Sequence, residues 1–217
     1  MVLRSPVVTA VDDFHVAYYD AGYHGGTWTT TTWLGVPVLK CPLDLWIYQE
    51  IVHEQRPDLI IETGTAHGGG ALYLASMCDL VGHGQVLTID IDDNAGRPPH
   101  PRITYLIGSS VDPAVLAQVR TRTQRAGKVM VVLDSDHTAS HVSAELGVYA
   151  PLVTPGSYLI VEDTNVNGHP VYGWHGPGPM EAVEEFLTRS DGFQQDRSRE
   201  KLMLTFNPGG WLRRHPS

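Results

Sequence analysis

Leu59-Ile60-Ile61-Glu62-Thr63-Gly64-Thr65-Ala66-His67-Gly68-Gly69-Gly70 decides how this chain is read. The stretch opens as an apolar run and closes in glycines. That is the pattern of a buried strand that stops at an acid and turns tightly into a helix. Such a turn sets backbone N–H groups and a helix start at the carboxyl edge of a parallel sheet, where nucleoside-bearing ligands bind. The alternative is a plain strand–turn–helix packed by its glycines. The residues downstream decide between the two.

Four more strand-like segments follow. Gln85–Asp90 ends in an acid, and Ile103–Ile107 runs into Gly108-Ser109-Ser110. Lys128–Asp134 carries the unbroken apolar run Val129–Leu133 expected of a central parallel strand, and Ser157–Glu162 is another buried strand. Between and before them lie helical segments. Pro42–Gln55 has Leu45, Ile47, Tyr48, Ile51 and Val52 near the 3.6 period, with Asp44 placed to cap its start. Gly69 to about Val81, Pro113–Ala126, Thr138–Ala150 and Met180–Ser190 complete the helices. Phe193–Arg197 and Leu202–Asn207 are expected to pair as an antiparallel hairpin at the sheet edge. Strand and helix alternate, which predicts an α/β domain: a mostly parallel central sheet with helices on both faces.

Residues 1–42 show no clean helical or strand period and are read as an N-terminal arm or lid before a domain spanning 43–217. Tyr18, Tyr19, Tyr23, Trp28 and Trp33 either tuck against the core or offer ring faces to a ring-bearing substrate. Thr164–Gly178 is a long loop carrying Trp174.

The 217 residues suffice for one large domain, and 42% hydrophobic with 18% charged residues is a globular composition. A formal net charge of -9 argues against a nucleic-acid partner, which needs clustered Lys and Arg. No polybasic cluster or apolar span points to a membrane. Cys41 and Cys78 stand far apart, outside any metal or redox spacing, as two reduced thiols of a cytoplasmic protein would. Met1-Val-Leu-Arg-Ser-Pro lacks the pattern of a signal peptide.

The right-handed crossover rule brings the parallel strand ends to one edge, and Glu62, Asp90, Asp134 and Glu162 stand at four of them. Asp90 falls where a nucleoside binder places a carboxylate for the ribose hydroxyls. Gly64-x-Ala66-x-x-Gly69 is a degenerate dinucleotide fingerprint with a methyl where backbone must approach a pyrophosphate. S-adenosylmethionine needs no such approach, and its amine and sulfonium suit an acid such as Glu62. His67 and Gly68 belong to the same turn, and Ser109 and Ser110 are placed for an adenine edge. On the other side, Asp134-Ser-Asp136-His137 and Glu162-Asp163 gather oxygen ligands suited to Mg²⁺, which would bind and orient an acceptor hydroxyl. His137 is a candidate general base. The competing reading has Asp136 and Asp163 as helix caps or solvated acids, and His137 as a surface histidine.

Ile-Glu-Thr-Gly-Thr-Ala-His-Gly-Gly-Gly-Ala, Leu-Asp-Ser-Asp-His, Val-Glu-Asp-Thr-Asn and Gly-Pro-Gly-Pro-Met-Glu-Ala-Val resemble the cephalosporin hydroxylase family, from Lys40-Cys-Pro-Leu-Asp-Leu to the closing Trp-Leu-Arg-Arg. The resemblance implies a Rossmann-like class I methyltransferase fold, binding of S-adenosylmethionine and Mg²⁺, and a metal triad at Asp136, Glu162 and Asp163. The more distant catechol O-methyltransferases look similar too; their pattern would select Asp134 as ligand and set their catalytic lysine at His137. Asp134 is then a second ligand or a base beside His137. Relatives of this kind include sugar O-methyltransferases acting on antibiotics, so the expected activity is O-methylation of a small natural product. The resemblance also leads us to expect a homo-oligomer. A non-haem iron hydroxylase would use a His-x-Asp/Glu pair, and none of the eleven histidines begins one. An NAD-dependent oxidoreductase and a non-catalytic S-adenosylmethionine-binding partner are the competing readings.

Overall fold

A computed structural model describes residues 6–216. The Met1–Ser5 segment, read above for the lack of a leader, lies outside the described residues. Leu59–Thr63 forms β1, the third strand across a seven-stranded sheet. The other strands are β2 (Gln85–Asp90), β3 (Ile103–Ile107), β4 (Val129–Leu133), β5 (Tyr158–Val161), β6 (Phe193–Gln195) and β7 (Trp211–Arg214). Their order across the sheet is β3-β2-β1-β4-β5-β7-β6. Strands β1 to β5 are parallel, with Ile61 in register between Leu87 and Val131. Only β7 runs against its neighbours, pairing antiparallel with both β5 and β6.

The helices are α1 (Pro6–Tyr23), α2 (Pro42–Gln55), α3 (Gly69–Leu80), α4 (Pro113–Thr123), α5 (Ala139–Tyr149) and α6 (Pro179–Arg189). The two-residue alternation of the strands divides the core into two layers. Ile61, Leu87, Val131 and Leu159 face Val115, Val142 and Ala182 of α4, α5 and α6. Ile60, Val86, Met130 and Ile160 face Ile51 and Leu74 of α2 and α3 on the other side. Among the described residues, no helix is long and apolar enough to cross a membrane.

Three sequence expectations are corrected. The N-terminal stretch is not irregular: Pro6–Tyr23 is an 18-residue helix. Its inward face carries His15 and Tyr19, whose rings pack on Phe206, so the apolar stripe is aromatic where a periodic search looks for aliphatic residues. Leu202–Asn207 is not the last strand; Trp211–Arg214 is. The Phe206 N–H donates to Asp44 Oδ2 at 2.8 Å and its carbonyl accepts from Asn165 N at 3.1 Å, so that segment bonds to α2 and a loop in place of a ladder. Asp44 is therefore committed to Phe206, and the N-cap of α2 is Cys41, with no side-chain bond.

Candidate active site

The carboxyl ends of β1, β2 and β4 open on a cavity of about 610 Å³ at the point where the strand order reverses. The turn after β1 forms its floor. Gly64 sits there at φ +81°, and a Cβ on it would lie 1.7 Å from the carbonyl oxygen of Asp134, so the turn can press on the end of β4 only because it has no side chain. A Cβ on Gly70 would meet Glu62 Oε1 at 2.5 Å. Tyr19, Tyr23 and Trp28 close the cavity from the N-terminal side.

On one side of the cavity stand Glu62 and Asp90. Glu62 is buried and accepts a hydrogen bond from Thr88 Oγ1 at 2.7 Å. Burial pushes its carboxyl up to about 8 even though Lys40 and Thr88 favour the charged form. Asp90 Oδ2 accepts from the backbone N–H groups of Thr65 (2.9 Å) and Ala66 (2.8 Å), and Oδ1 accepts from Asp92 N at 3.0 Å. Arg97 adds an ion pair at 3.0 Å and donates from Nε to the Ala66 carbonyl at 3.0 Å. Burial alone would raise the Asp90 carboxyl; these three N–H groups and Arg97 outweigh it and hold it below the ordinary value. His67 is exposed at the rim and Ser109 lines the wall. Gly68 is the buried N-cap of α3 at φ +84° and supplies only backbone. Ser110 is buried, its hydroxyl 3.3 Å from His141 Nε2 and its carbonyl accepting from Tyr149 OH at 2.7 Å.

On the other side Asp134, His137 and Asp163 each bring a donor atom within 4.8 Å of the others. His137 Nε2 lies 3.1 Å from Asp163 Oδ2. Behind them Lys40 Nζ lies 2.5 Å from Asp134 Oδ2 and 2.7 Å from Glu162 Oε1, and Tyr48 OH donates to the same Glu162 oxygen at 2.5 Å. Burial, then mutual repulsion, raises the carboxyls of Asp134 and Glu162, and Asp163 follows the same causes against the pull of His137. Burial opposes a charged His137, yet Asp163 and Asp134 hold its pKa above the ordinary value. The two carboxylates of this half-buried cluster are oxygen donors that a hard divalent cation fits, because the cation would offset the negative charge that burial and repulsion penalise, and the His137 imidazole stands beside them.

The arrangement differs from the triad implied by the family resemblance. Asp136 lines the outer cavity wall but is exposed, and its Oδ1 accepts from Thr138 N at 2.7 Å. The hydrogen bonds from Thr138 keep its carboxyl below the usual range, as expected of an acid closing a turn. Glu162 is 5% exposed and faces Lys40 and Tyr48. Lys40, Tyr48 and Arg97 were not found from the sequence. One signal was present: Lys40 is the lone charge in the apolar run Val36-Pro-Val-Leu-Lys-Cys-Pro-Leu, where a cation survives only with buried partners.

The Rhamnosyl O-methyltransferase/CmcI family profile matches residues 25–215. The chain belongs to that family. A rhamnosyl O-methyltransferase of Mycobacterium bovis (strain BCG / Pasteur 1173P2) is 41% identical over 207 residues, covering 91% of this chain and 84% of the relative. One from Mycobacterium leprae (strain TN) is 39% identical over 220 residues, covering 98% and 93%. A solved CmcI structure described as containing Mg and SAM superposes with a TM-score of 0.67 at 21% identity, covering 87% of this chain and 78% of that one. At that identity it speaks for the fold, a class I methyltransferase sheet with its C-terminal antiparallel hairpin.

Proposed function

We propose that this family member transfers a methyl group from S-adenosylmethionine to a sugar hydroxyl, with Mg²⁺ bound beside the acceptor. The observation that carries the reading is the meeting of two sets of acids on one cavity: Glu62 and Asp90 at the ends of β1 and β2, Asp134 and Asp163 at the ends of β4 and β5. The relatives' name, rhamnosyl O-methyltransferase, supports a deoxysugar hydroxyl as acceptor.

Asp90, Glu62 and the backbone of Gly64, His67 and Gly68 are the cofactor side, with Ser109 and Ser110 on the adenine wall. Asp134 and Asp163 would hold the Mg²⁺, with Glu162 kept in place behind them by Lys40 and Tyr48. The metal, when bound, lowers the pKa of a hydroxyl and fixes its direction. His137, in ion-pair distance of Asp163, takes the hydroxyl proton, and Asp134 is the alternative acceptor for it. The new bond joins the sugar oxygen to the methyl carbon; the carbon–sulfur bond breaks and its electron pair returns to sulfur as S-adenosylhomocysteine leaves. Alignment of oxygen, methyl carbon and sulfur supplies much of the acceleration.

Within the 1–42 arm, Tyr19, Tyr23, Trp28 and Lys40 line the cavity, which supports reading the arm as the lid of the 43–217 domain. The free, buried thiols of Cys41 and Cys78 favour a reducing, cytoplasmic setting. We also read the protein as an assembly of identical chains; light scattering that finds only a 23.8 kDa species would end that part. The test of the activity is titration calorimetry with S-adenosylmethionine, then incubation with methyl α-L-rhamnoside and Mg²⁺ under mass detection. A gain of one methylene unit, lost in His137→Ala and Asp163→Asn, is expected. No heat of cofactor binding would overturn the reading.

A further inference from the structure

We propose that the groove between the end of α1 and the 164–178 loop is a second carbohydrate subsite, which takes the sugar ring next to the one being methylated. This rests on the sugar-methylating reading and deepens it. The groove encloses about 550 Å³ and is walled by Asp20, Tyr23 and His24 from one side and Tyr172 and Trp174 from the other. Tyr23 lines both this groove and the main cavity, so the two share a wall.

The rings form a continuous series from one space to the other. Trp28 stacks on Tyr19 at 5.3 Å within the main cavity. Tyr23 meets both of them edge-on, at 5.5 and 5.7 Å. It then lies parallel to Tyr172, 5.3 Å away with 6° between planes, and Tyr172 leans on Trp174 at 4.0 Å. Two of these rings are left largely uncovered: Tyr23 is 52% and Trp174 77% exposed. Large aromatic surface left open beside a binding cavity marks a contact surface.

The backbone fixes the rings in advance. Tyr172 sits at φ +55° and Asn167 at φ +62°. The loop is tied by Val171 N to Asn165 O at 3.1 Å, and by Asn167 Nδ2 and His169 Nε2 to Glu181 Oε1 at 2.8 and 3.0 Å. Strained, well-tied residues of this kind are found at ligand clamps. The rim settles the chemistry. A pyranose has an apolar C–H face that lies on an aromatic ring and a polar edge of hydroxyls. Asp20 and His24, both exposed at the groove, offer a carboxylate and an imidazole to such an edge. A plain aryl group would use the rings and leave both polar groups without a role.

The probes are methyl α-L-rhamnoside, a methyl rhamnobioside and 4-nitrophenyl α-L-rhamnoside. Each is titrated calorimetrically into the full chain loaded with S-adenosylhomocysteine and Mg²⁺, and into Trp174→Ala and Asp20→Asn; KM and kcat are measured alongside. The disaccharide is expected to bind roughly tenfold more tightly than the monosaccharide, about 1.4 kcal/mol, through KM rather than kcat. That advantage should fall below about threefold in Trp174→Ala and drop partly in Asp20→Asn. Equal affinity for mono- and disaccharide in the parent protein, or an advantage untouched by Trp174→Ala, overturns the proposal. So does a gain for the nitrophenyl glycoside equal to that for the second sugar. Turnover without a disaccharide preference sinks the subsite alone; a Trp174-dependent preference without turnover supports the subsite while the reaction falls.

Discussion

Lys40 decides the electrostatics of the site. It is 5% exposed and faces the carboxylates of Asp134 and Glu162, with Glu62 close enough to add to the field. Burial opposes its charge, but the three acids win and hold its pKa well above the ordinary value. Removing one partner of a buried ionic cluster leaves the others uncompensated, at about 3–5 kcal/mol. Lys40→Met is therefore expected to lower unfolding stability by about that much near pH 8 in urea melts. The carboxyls of Asp134 and Glu162 are raised, so acid lets them take protons and shed the uncompensated charge. The penalty should shrink at pH 5; an equal loss at both values would mean that Lys40 acts through packing alone. A second residue test concerns Gly64. Its positive φ and the 1.7 Å approach to Asp134 O make Gly64→Ala destabilising by about 2 kcal/mol or more, with loss of cofactor binding in calorimetry. At this scale the acids were legible because each stands at the end of an apolar run. Lys40 was not, because it lies 94 positions from Asp134 and only the folded chain joins them.

Elements were legible wherever aliphatic periodicity marked them. Strands β1 to β5 and helices α2 to α6 fall within a few residues of their expected ranges, since Val, Leu and Ile alternate or recur cleanly there. The failures share a cause: α1 and β7 bury residues of mixed character. Trp211 and Leu212 are wholly buried, yet Arg213 and Arg214 follow directly, so the apolar run is too short to mark a strand. Helix α1 docks through His15, which stacks on Phe206 at 5.5 Å and contacts Asn165 Nδ2 at 3.0 Å. Burial lowers the His15 pKa from 6.5 to about 4, with Asp12 opposing. The folded imidazole resists protonation more than the unfolded one, so acid favours unfolding. Stability present above pH 6.5 should be lost as pH falls towards 4, by roughly 3 kcal/mol at most from this group. Asp44, pushed up to about 8 by burial, acts in the opposite sense, so the comparison must be a difference. In His15→Phe, urea melts from pH 7 to 4 should fall less steeply than in the parent chain; parallel curves would show that His15 does not titrate on unfolding.

At the scale of the molecule, the parallel order β2-β1-β4-β5 brings acids from four distant segments to one rim. Strand ends and glycine turns made that edge visible in the sequence, but not which acids face one another. Leu-Asp-Ser-Asp-His offers two aspartates, and only the direction of the turn after β4 separates Asp134, turned inward to Lys40, from Asp136, turned to Thr138. Metal binding is the global readout of this difference. A ligand that binds only the folded chain stabilises it by about 2.7 kcal/mol at a hundred times its dissociation constant. For a domain of this size that is a rise in melting temperature of roughly 5–10 °C. Mg²⁺ is expected to produce such a rise and EDTA to reverse it. Asp134→Asn and Asp163→Asn should abolish the rise, while Asp136→Asn should keep it. Because burial and repulsion hold the Asp134 and Asp163 carboxyls above their ordinary values, protons compete with the metal. The Mg²⁺-induced shift should therefore grow from pH 6 to pH 8. A shift lost in Asp136→Asn but retained in Asp134→Asn would return the metal to the triad of the family resemblance and require the turn after β4 to rearrange when the ion binds.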